Sequence, residues 1–342
     1  MLSRVADSLY WIHRYLERAE NISRFLEVSE AMALDCPPGS AEPWLPLVDV
    51  TADRQRFNQA YPAGTPGDVL RFLLHDRDNP NSIVSCIAIA RENARQIRDV
   101  ITSEMWEQLN DLHWSLQTGE AIWSEPVQEQ LRIIRRGCQM VYGITDATLS
   151  RDVSWLFSQL GRLIERADKT SRILDMKYFL LLPSPDDVGG VLDELQWITV
   201  LRTAGAYQMY RQSQQQAITP ASVADFLLLD PIFPRSVRFC LQGINGTLKQ
   251  LQMLDALNVD FSSTDTNGKN IFQLALYEGR EGEIIDYCCE KYYTQRVAYH
   301  VVGPRAHTAP IKIKLRLLKR VPYSIVGPKT VGSMAPMKIK TA

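Results

Sequence analysis

Apolar residues return every three or four positions along most of this chain. Val5, Leu9, Ile12, Leu16, Ala19, Ile22 and Leu26 fall on one face at 100° per residue, so residues 1 to about 34 read as one long helix. Cys36-Pro37-Pro38-Gly39 stops it. Further helices are predicted after Thr65-Pro66-Gly67-Asp68, where a polar cap, a proline and an acid three residues on make a helix start. Others span 79 to about 100, open at Ser103, and cover 125 to about 144, about 150 to 181, 186 to about 214, and 234 to 254. Ser184-Pro185 and Thr219-Pro220 are two more starts of the capped kind. No convincing alternating strand occurs before residue 300. The expected fold is all-α, a multi-helix antiparallel bundle over residues 1–250.

The polar positions carry a second pattern. Arg14-Tyr15-Leu16-Glu17-Arg18-Ala19-Glu20-Asn21-Ile22-Ser23-Arg24 returns 148 positions later as Arg162-Leu163-Ile164-Glu165-Arg166-Ala167-Asp168-Lys169-Thr170-Ser171-Arg172, an internal pseudo-repeat. Spacings of three, four and seven place Arg14, Glu17, Asn21 and Arg24 on successive turns of one helix face. Arg162, Glu165, Lys169 and Arg172 hold the same places in the second copy. Two such helices face to face would exchange Glu–Arg pairs, because charges go inside only when paired. That seam is either an ion-pair network that fixes helix register, or an Arg/Glu-lined site for a carboxylate or peptide, which guanidinium forks suit.

Charge is unevenly spread. The net charge is −1, yet residues 291–342 hold eleven Lys and Arg and no acid, leaving 27 basic against 39 acidic residues before them. An acidic body argues against nucleic-acid binding by that body. No apolar run approaches the ~20 residues of a membrane span, and Arg4, Asp7, His13 and Arg14 break any secretory h-region. Six scattered cysteines without a Cys-x-x-Cys fit a reduced, cytoplasmic setting. Residues 251–295 read as a divergent extension, either weakly ankyrin-like or a helix-turn-helix. Residues 296–342 form a basic tail containing Pro and Gly, expected to be partly disordered, in which residues 311–317 alternate as an edge strand would.

Other chemistry finds little support. Glu17, Glu20, Glu165 and Asp168 supply the carboxylates of a di-iron bundle, but no Glu-x-x-His accompanies them, so neither metal nor cofactor is expected. There is no Gly-x-Ser-x-Gly and no phosphate loop. Cys86 lies in an apolar run, and Asp111 and His113, two apart on a helix, point to different faces. Arg91 and Glu92 carry the same Arg/Glu chemistry on a third helix, either as part of a shared seam or as a solvated face.

Four blocks, in order, resemble the bacterial alpha-E domain family. They are Met1-Leu2-Ser3-Arg4-Val5-Ala6-Asp7-Ser8-Leu9-Tyr10-Trp11 with the Glu17 motif, Asn79-Pro80-Asn81-Ser82-Ile83 with Ala90-Arg91-Glu92-Asn93, Ser103-Glu104-Met105-Trp106-Glu107, and Leu229-Asp230-Pro231-Ile232-Phe233-Pro234-Arg235-Ser236-Val237. The resemblance implies a helical protein that works beside a circularly permuted ATP-grasp protein and a transglutaminase-like protein. It brings no catalytic residue. The resulting expectation is a non-catalytic partner or substrate-presenting module for an amide-ligase system. Its candidate binding residues are Arg14, Glu17, Asn21, Arg24, Arg91, Glu92, Arg162, Glu165 and Arg172. The alternative is an enzyme that uses the seam carboxylates Glu17 and Glu165 on a peptide or carboxylate substrate, or more remotely a metal-carboxylate enzyme.

Overall fold

Helix α1 (Ser3–Asp35) lies at the centre of the bundle and is buried on nearly every side. Leu9, Ile12, Leu16, Ile22 and Leu26 are fully buried, each contributing about 1.5–3 kcal/mol of hydrophobic stabilisation. The opposite side of the same helix buries Glu17, Glu20 and Asn21, so it needs polar partners as well as apolar ones. In this computed structural model the described residues are 3–35, 44–51, 53–117, 120–179, 190–213 and 217–255. The expected extension and tail lie outside them, apart from the first residues after 250, which continue the last helix. Among the described residues all regular structure is helical.

Thirteen helices follow in order among those residues. After α1 come α2 (Leu45–Val50), α3 (Arg54–Ala60), α4 (Pro66–Leu74) and α5 (Ile83–Gln96). A middle group follows, α6 (Ser103–Gln117), α7 (Glu120–Ser124) and α8 (Val127–Thr148). Then come α9 (Val153–Phe179), α10 (Val191–Thr203), α11 (Tyr207–Ser213), α12 (Pro220–Leu229) and α13 (Val237–Asp255). Helix α1 packs against α9, α5 and α8, while α13 covers α9 and α6 lies across α5 and α8.

The pseudo-repeat is larger than the sequence reading found. Thr-Pro-x-x-Val-x-x-Phe-Leu-Leu-x-Asp-x-x-x-Pro-x-Ser occurs at 65–82 and again at 219–236. Each copy builds the same local structure. Thr65 and Thr219 close capping boxes with Asp68 and Ser222 at the starts of α4 and α12. Ser82 Oγ accepts from Ser85 N (3.2 Å) and Ser236 Oγ from Phe239 N (3.0 Å), capping α5 and α13 alike. Cys86 and Cys240 each donate to a proline carbonyl six residues back, at 3.7 Å in both cases. Thus α1, α4 and α5 correspond to α9, α12 and α13. The two sets also cross, because α2 packs on α9 and α10 packs on α1. The middle group α6–α8 has no counterpart among the described residues of the second set.

The two motif helices run in the same direction, inside a bundle whose other neighbours alternate. Tyr10 meets Gly161, Arg14 meets Glu165, and Glu17 meets Arg166, so both chains advance together along the contact. Their closest approach depends on Gly161, where a Cβ would sit 2.1 Å from the Tyr10 carbonyl oxygen.

Two boundaries differ from expectation. The predicted helix over 186–214 is broken into α10 and α11 by Gly205 at φ +63°, with Ala206 N donating to Leu201 O (2.7 Å) in a Schellman-type stop. The helix expected from 79 starts instead at Ile83, where Ser82 provides the cap. Helices α2, α3 and α7, of five to seven residues, were too short to show a period.

Gly161→Ala is expected to cost about 3 kcal/mol or more in urea unfolding, since backbone rather than a flexible side chain must move. A change within about 0.5 kcal/mol would show that α1 and α9 do not approach so closely. Gly143→Ala, with open space around its Cβ position, is the control and should be neutral or slightly stabilising.

Candidate functional site

The seam lies where α1 and α9 run side by side. Glu17 and Glu165 are fully buried, and each takes its guanidinium from the other repeat. Arg166 Nε and Nη2 donate to the two oxygens of Glu17 at 2.9 and 2.8 Å. Arg18 Nε and Nη2 donate to the two oxygens of Glu165 at 2.8 and 3.1 Å. These reciprocal forks are bidentate, the strongest form of the pair. Arg14 Nε adds a bond to Glu165 Oε2 (2.6 Å), and Lys169 an ion pair at 3.5 Å. Arg235, from the loop before α13, reaches Glu17 Oε1 (3.2 Å), Asn21 Oδ1 (2.9 Å) and Glu20 Oε1 (2.7 Å). Its counterpart in the first repeat, Asn81, accepts from Arg18 Nη1 (2.8 Å) and donates to Asp53.

These contacts set the charge states. Burial alone would push the Glu17 carboxyl up, but Arg166 and Arg235 more than reverse it and hold it at about 2. Burial likewise opposes ionisation of Glu165, and Lys169, Arg14 and Arg18 hold its carboxyl well below the usual range. Arg14, Arg18, Arg166 and Arg235 keep only 12–16% of their side chains exposed, so solvent screens these pairs weakly.

The last arginine of each copy does a different job. Arg172 pairs with Asp168 and sends Nη1 to the Val50 carbonyl at the end of α2 (3.5 Å). Arg24 pairs with Glu20 and lies beside Gly205 at the end of α10. Each therefore places positive charge at the C-terminal end of a helix from the opposite repeat, where the dipole favours it. Arg162 turns away from the carboxylates of the seam, toward Asp146 (3.3 Å) and Gln159 (2.5 Å).

Arg91 and Glu92 do not belong to the seam. Helix α5 presents Cys86, Ala90 and Ala94 to the core, which turns Arg91 and Glu92 aside. Arg91 donates to Asn110 (3.1 Å) and stacks on Trp106 and Trp114 of α6, while Glu92 pairs with Arg95 on an exposed face. Conversely, Arg18, Arg166, Asn81 and Arg235 build the site but were not expected there, while Lys169, placed on the seam face by its spacing, and Glu20 join it without having been named as binding residues. Arg18 and Arg166 stand 100° from their glutamates on a helical wheel, so face-counting set them aside. Arg235 could have been found from the 65–82 and 219–236 repeat.

The remaining polar groups are quiet. His13 is buried, its Nδ1 donating to the Leu9 carbonyl (2.9 Å), and burial lowers its pKa to about 4. Burial pushes the Cys86 and Cys240 thiols up to about 12, so neither is a nucleophile at neutral pH. Among the described residues no three of His, Cys, Asp and Glu gather as metal ligands would.

Reciprocal Glu-Arg pairs at 17–18 and 165–166 thus form the centre of the structure. The profile of the Alpha-E family, described as a predicted alpha-helical domain with a conserved ER motif, matches residues 1–266. The chain belongs to the Alpha-E family. These are the only two Glu-Arg dipeptides in its sequence. Uncharacterised proteins of Mycobacterium bovis and Mycobacterium tuberculosis are 23% identical over 272 residues, covering 72% of this chain. The chain spans less than a third of the length of those relatives, 30% in each case. No solved structure matches it. No described helix is long and apolar enough to cross a membrane.

Glu17→Gln is expected to destabilise the protein by about 3–5 kcal/mol, because it strands the charges of Arg166 and Arg235. Glu92→Gln, on the exposed pair, should cost less than about 1 kcal/mol. Urea titrations of the two variants check both, and equal costs would mean that the seam is solvated. Stability should also fall with acid in two steps. His13 stays neutral in the fold, so its contribution is lost as pH drops from about 6.5 to about 4. Glu17 stays charged, so its contribution is lost from about 4.5 toward 2. Thermal melts at successive pH values read this directly, and a flat profile from pH 7 to 3 would contradict the assignments.

Proposed function

We propose that this Alpha-E chain is a non-catalytic helical module that holds or presents a carboxylate-bearing peptide or amino acid for an amide-bond-forming ATP-grasp enzyme or a transglutaminase-like enzyme. The observation that carries the reading is the saturation of Glu17 and Glu165. A carboxylate with both oxygens bound to guanidinium, and a pKa far below neutral, is a weak base and no acid at pH 7. The acid–base reading of those two residues therefore loses its chemistry, and a binding or scaffolding role remains for the seam.

Two further facts support the reading. The matched relatives are more than three times as long as the segment they share with this chain, so in them the Alpha-E unit is joined to other sequence, as a module acting beside another domain would be. The seam also shows that this chain builds carboxylate-binding guanidinium forks, here around its own Glu17 and Glu165. A cytoplasmic setting fits the buried free thiols among the described residues, Cys86, Cys138 and Cys240.

The test is co-purification of the full chain with a circularly permuted ATP-grasp protein from the same genome, followed by turnover of that ligase with and without the chain. A stable complex, or a change of several-fold in ligase activity, is the expected result. Absence of both association and any effect on activity would overturn the proposal.

A further inference from the structure

Each guanidinium of the seam already serves a carboxylate of this chain, so the carboxylate of a ligand has to be met elsewhere. Two arginines without such a duty lie where α5 packs on α6. Arg98, in the turn after α5, is exposed and places its Cζ over the Trp106 ring, 4.7 Å from the centroid. Arg91 lies over the same ring at 5.2 Å and over the Trp114 ring at 5.8 Å. Arg98, Trp106, Arg91 and Trp114 therefore follow one another in a continuous strip.

The polar atoms of that strip are largely unused. Arg91 Nε donates to Asn110 Oδ1 (3.1 Å). Among the described residues its two Nη groups have no hydrogen-bond partner, Arg98 has none at all, and neither arginine forms an ion pair. Arg95, between them in sequence, is by contrast held by Glu92 at 2.9 Å. A guanidinium resting on an indole is held by its face, and its N–H edge stays open to a carboxylate fork. Such a group is ordered before the ligand arrives, which lowers the cost of binding. Trp114 adds a large apolar ring that is 47% exposed.

The surroundings narrow the choice of ligand. Glu104, Glu107 and Asp111 are exposed on α6, each 100° or more around the helix from Trp106. That acidic margin, on an acidic body, repels the continuous phosphates of a nucleic acid. A lone inorganic anion makes no use of the indoles. A peptide with separate carboxylates and an apolar side chain uses both. Trp106 and Trp114 stand eight residues apart, about 12 Å along α6. Four steps of an extended peptide cover about 13 Å, and its alternate side chains point the same way. A carboxylate on Arg98, a second two residues on at Arg91, and an apolar group two residues further at Trp114 match the strip in length and order.

We propose that the α5–α6 strip is a docking site for an extended acidic peptide segment, with two alternate carboxylates on Arg98 and Arg91 and an apolar side chain on Trp114. This gives the presenting role a place outside the seam and rests on that role for its biological meaning. Peptide binding is measured without the ligase, so the two can fail separately.

The full chain is titrated into the acetylated, amidated peptide Phe-Ser-Glu-Ser-Glu-Ser-Phe, which reads alike in both directions and carries an uncharged dye, and fluorescence anisotropy is followed. Saturable binding in the micromolar to millimolar range is expected, and it should weaken by about tenfold or more when both Glu of the peptide are replaced by Gln. Arg98→Gln, at an exposed position, should keep the helical circular dichroism of the wild type and bind the Glu peptide about tenfold more weakly, the value of one hydrogen bond between charged groups. Arg95→Gln makes the same charge change at an arginine already paired, and should leave binding unchanged. No saturable binding, equal affinity for the Glu and Gln peptides, or an equal loss in the two variants would overturn the proposal. Tighter binding of a dye-labelled oligothymidylate than of the peptide would overturn it too, and would mark the strip as a nucleic-acid surface.

Discussion

Glu17 and Glu165 are carboxylates at zero exposure, and the arrangement around them follows from that constraint. A buried carboxylate is tolerated only when its charge and lone pairs are met locally. Here the bidentate partner of each comes from the other repeat, Arg166 for Glu17 and Arg18 for Glu165. The exchange is reciprocal only if the two helices run in the same direction in near-register. They must also lie close, which the Gly161 contact with the Tyr10 carbonyl permits. The arginines at the ends of the motif then fasten the next layer, Arg172 on α2 and Arg24 beside the α10–α11 turn. A single polar exchange thus sets helix direction, register and the seating of two neighbouring helices.

The pseudo-symmetry explains what the core does, and the departures from it show where a function could be added. Asn81 and Arg235 occupy matching loops but differ in charge, and among the described residues α8 has no counterpart on the other side of the seam. Both differences fall at Glu17 and Glu20. Both oxygens of Glu165 are bound, while Glu20 in the other half keeps one buried oxygen without a hydrogen-bond partner.

Much of this was legible in the sequence. The 3.6-residue period located the long helices, because each is long enough for the period to show and most are buried along one stripe. The repeated Arg-x-x-Glu-Arg-Ala element pointed to a facing pair, since two like-charged, like-spaced faces can be buried only against each other. Face-counting failed for Arg18 and Arg166, whose long side chains reach a neighbour from a position 100° off the seam. It also admitted Arg91 and Glu92, because composition alone does not say which side of α5 the small residues Ala90 and Ala94 turn to the core. Gly205 was read as helix interior, yet its positive φ ends α10. Arg235 lies seventy residues from its own motif, and only the longer repeat ties it to the seam.

The Alpha-E description singles out an ER motif, and the structure gives that dipeptide a physical meaning: the glutamate is buried and the adjacent arginine serves the glutamate of the opposite copy. The most direct test of that meaning is a double-mutant cycle on Glu17→Gln and Arg166→Gln, read by urea unfolding. The account predicts a coupling energy of about 2–3 kcal/mol, the two changes together costing much less than their sum. Additive costs within about 0.5 kcal/mol would contradict it and leave the two residues as neighbours without a shared role.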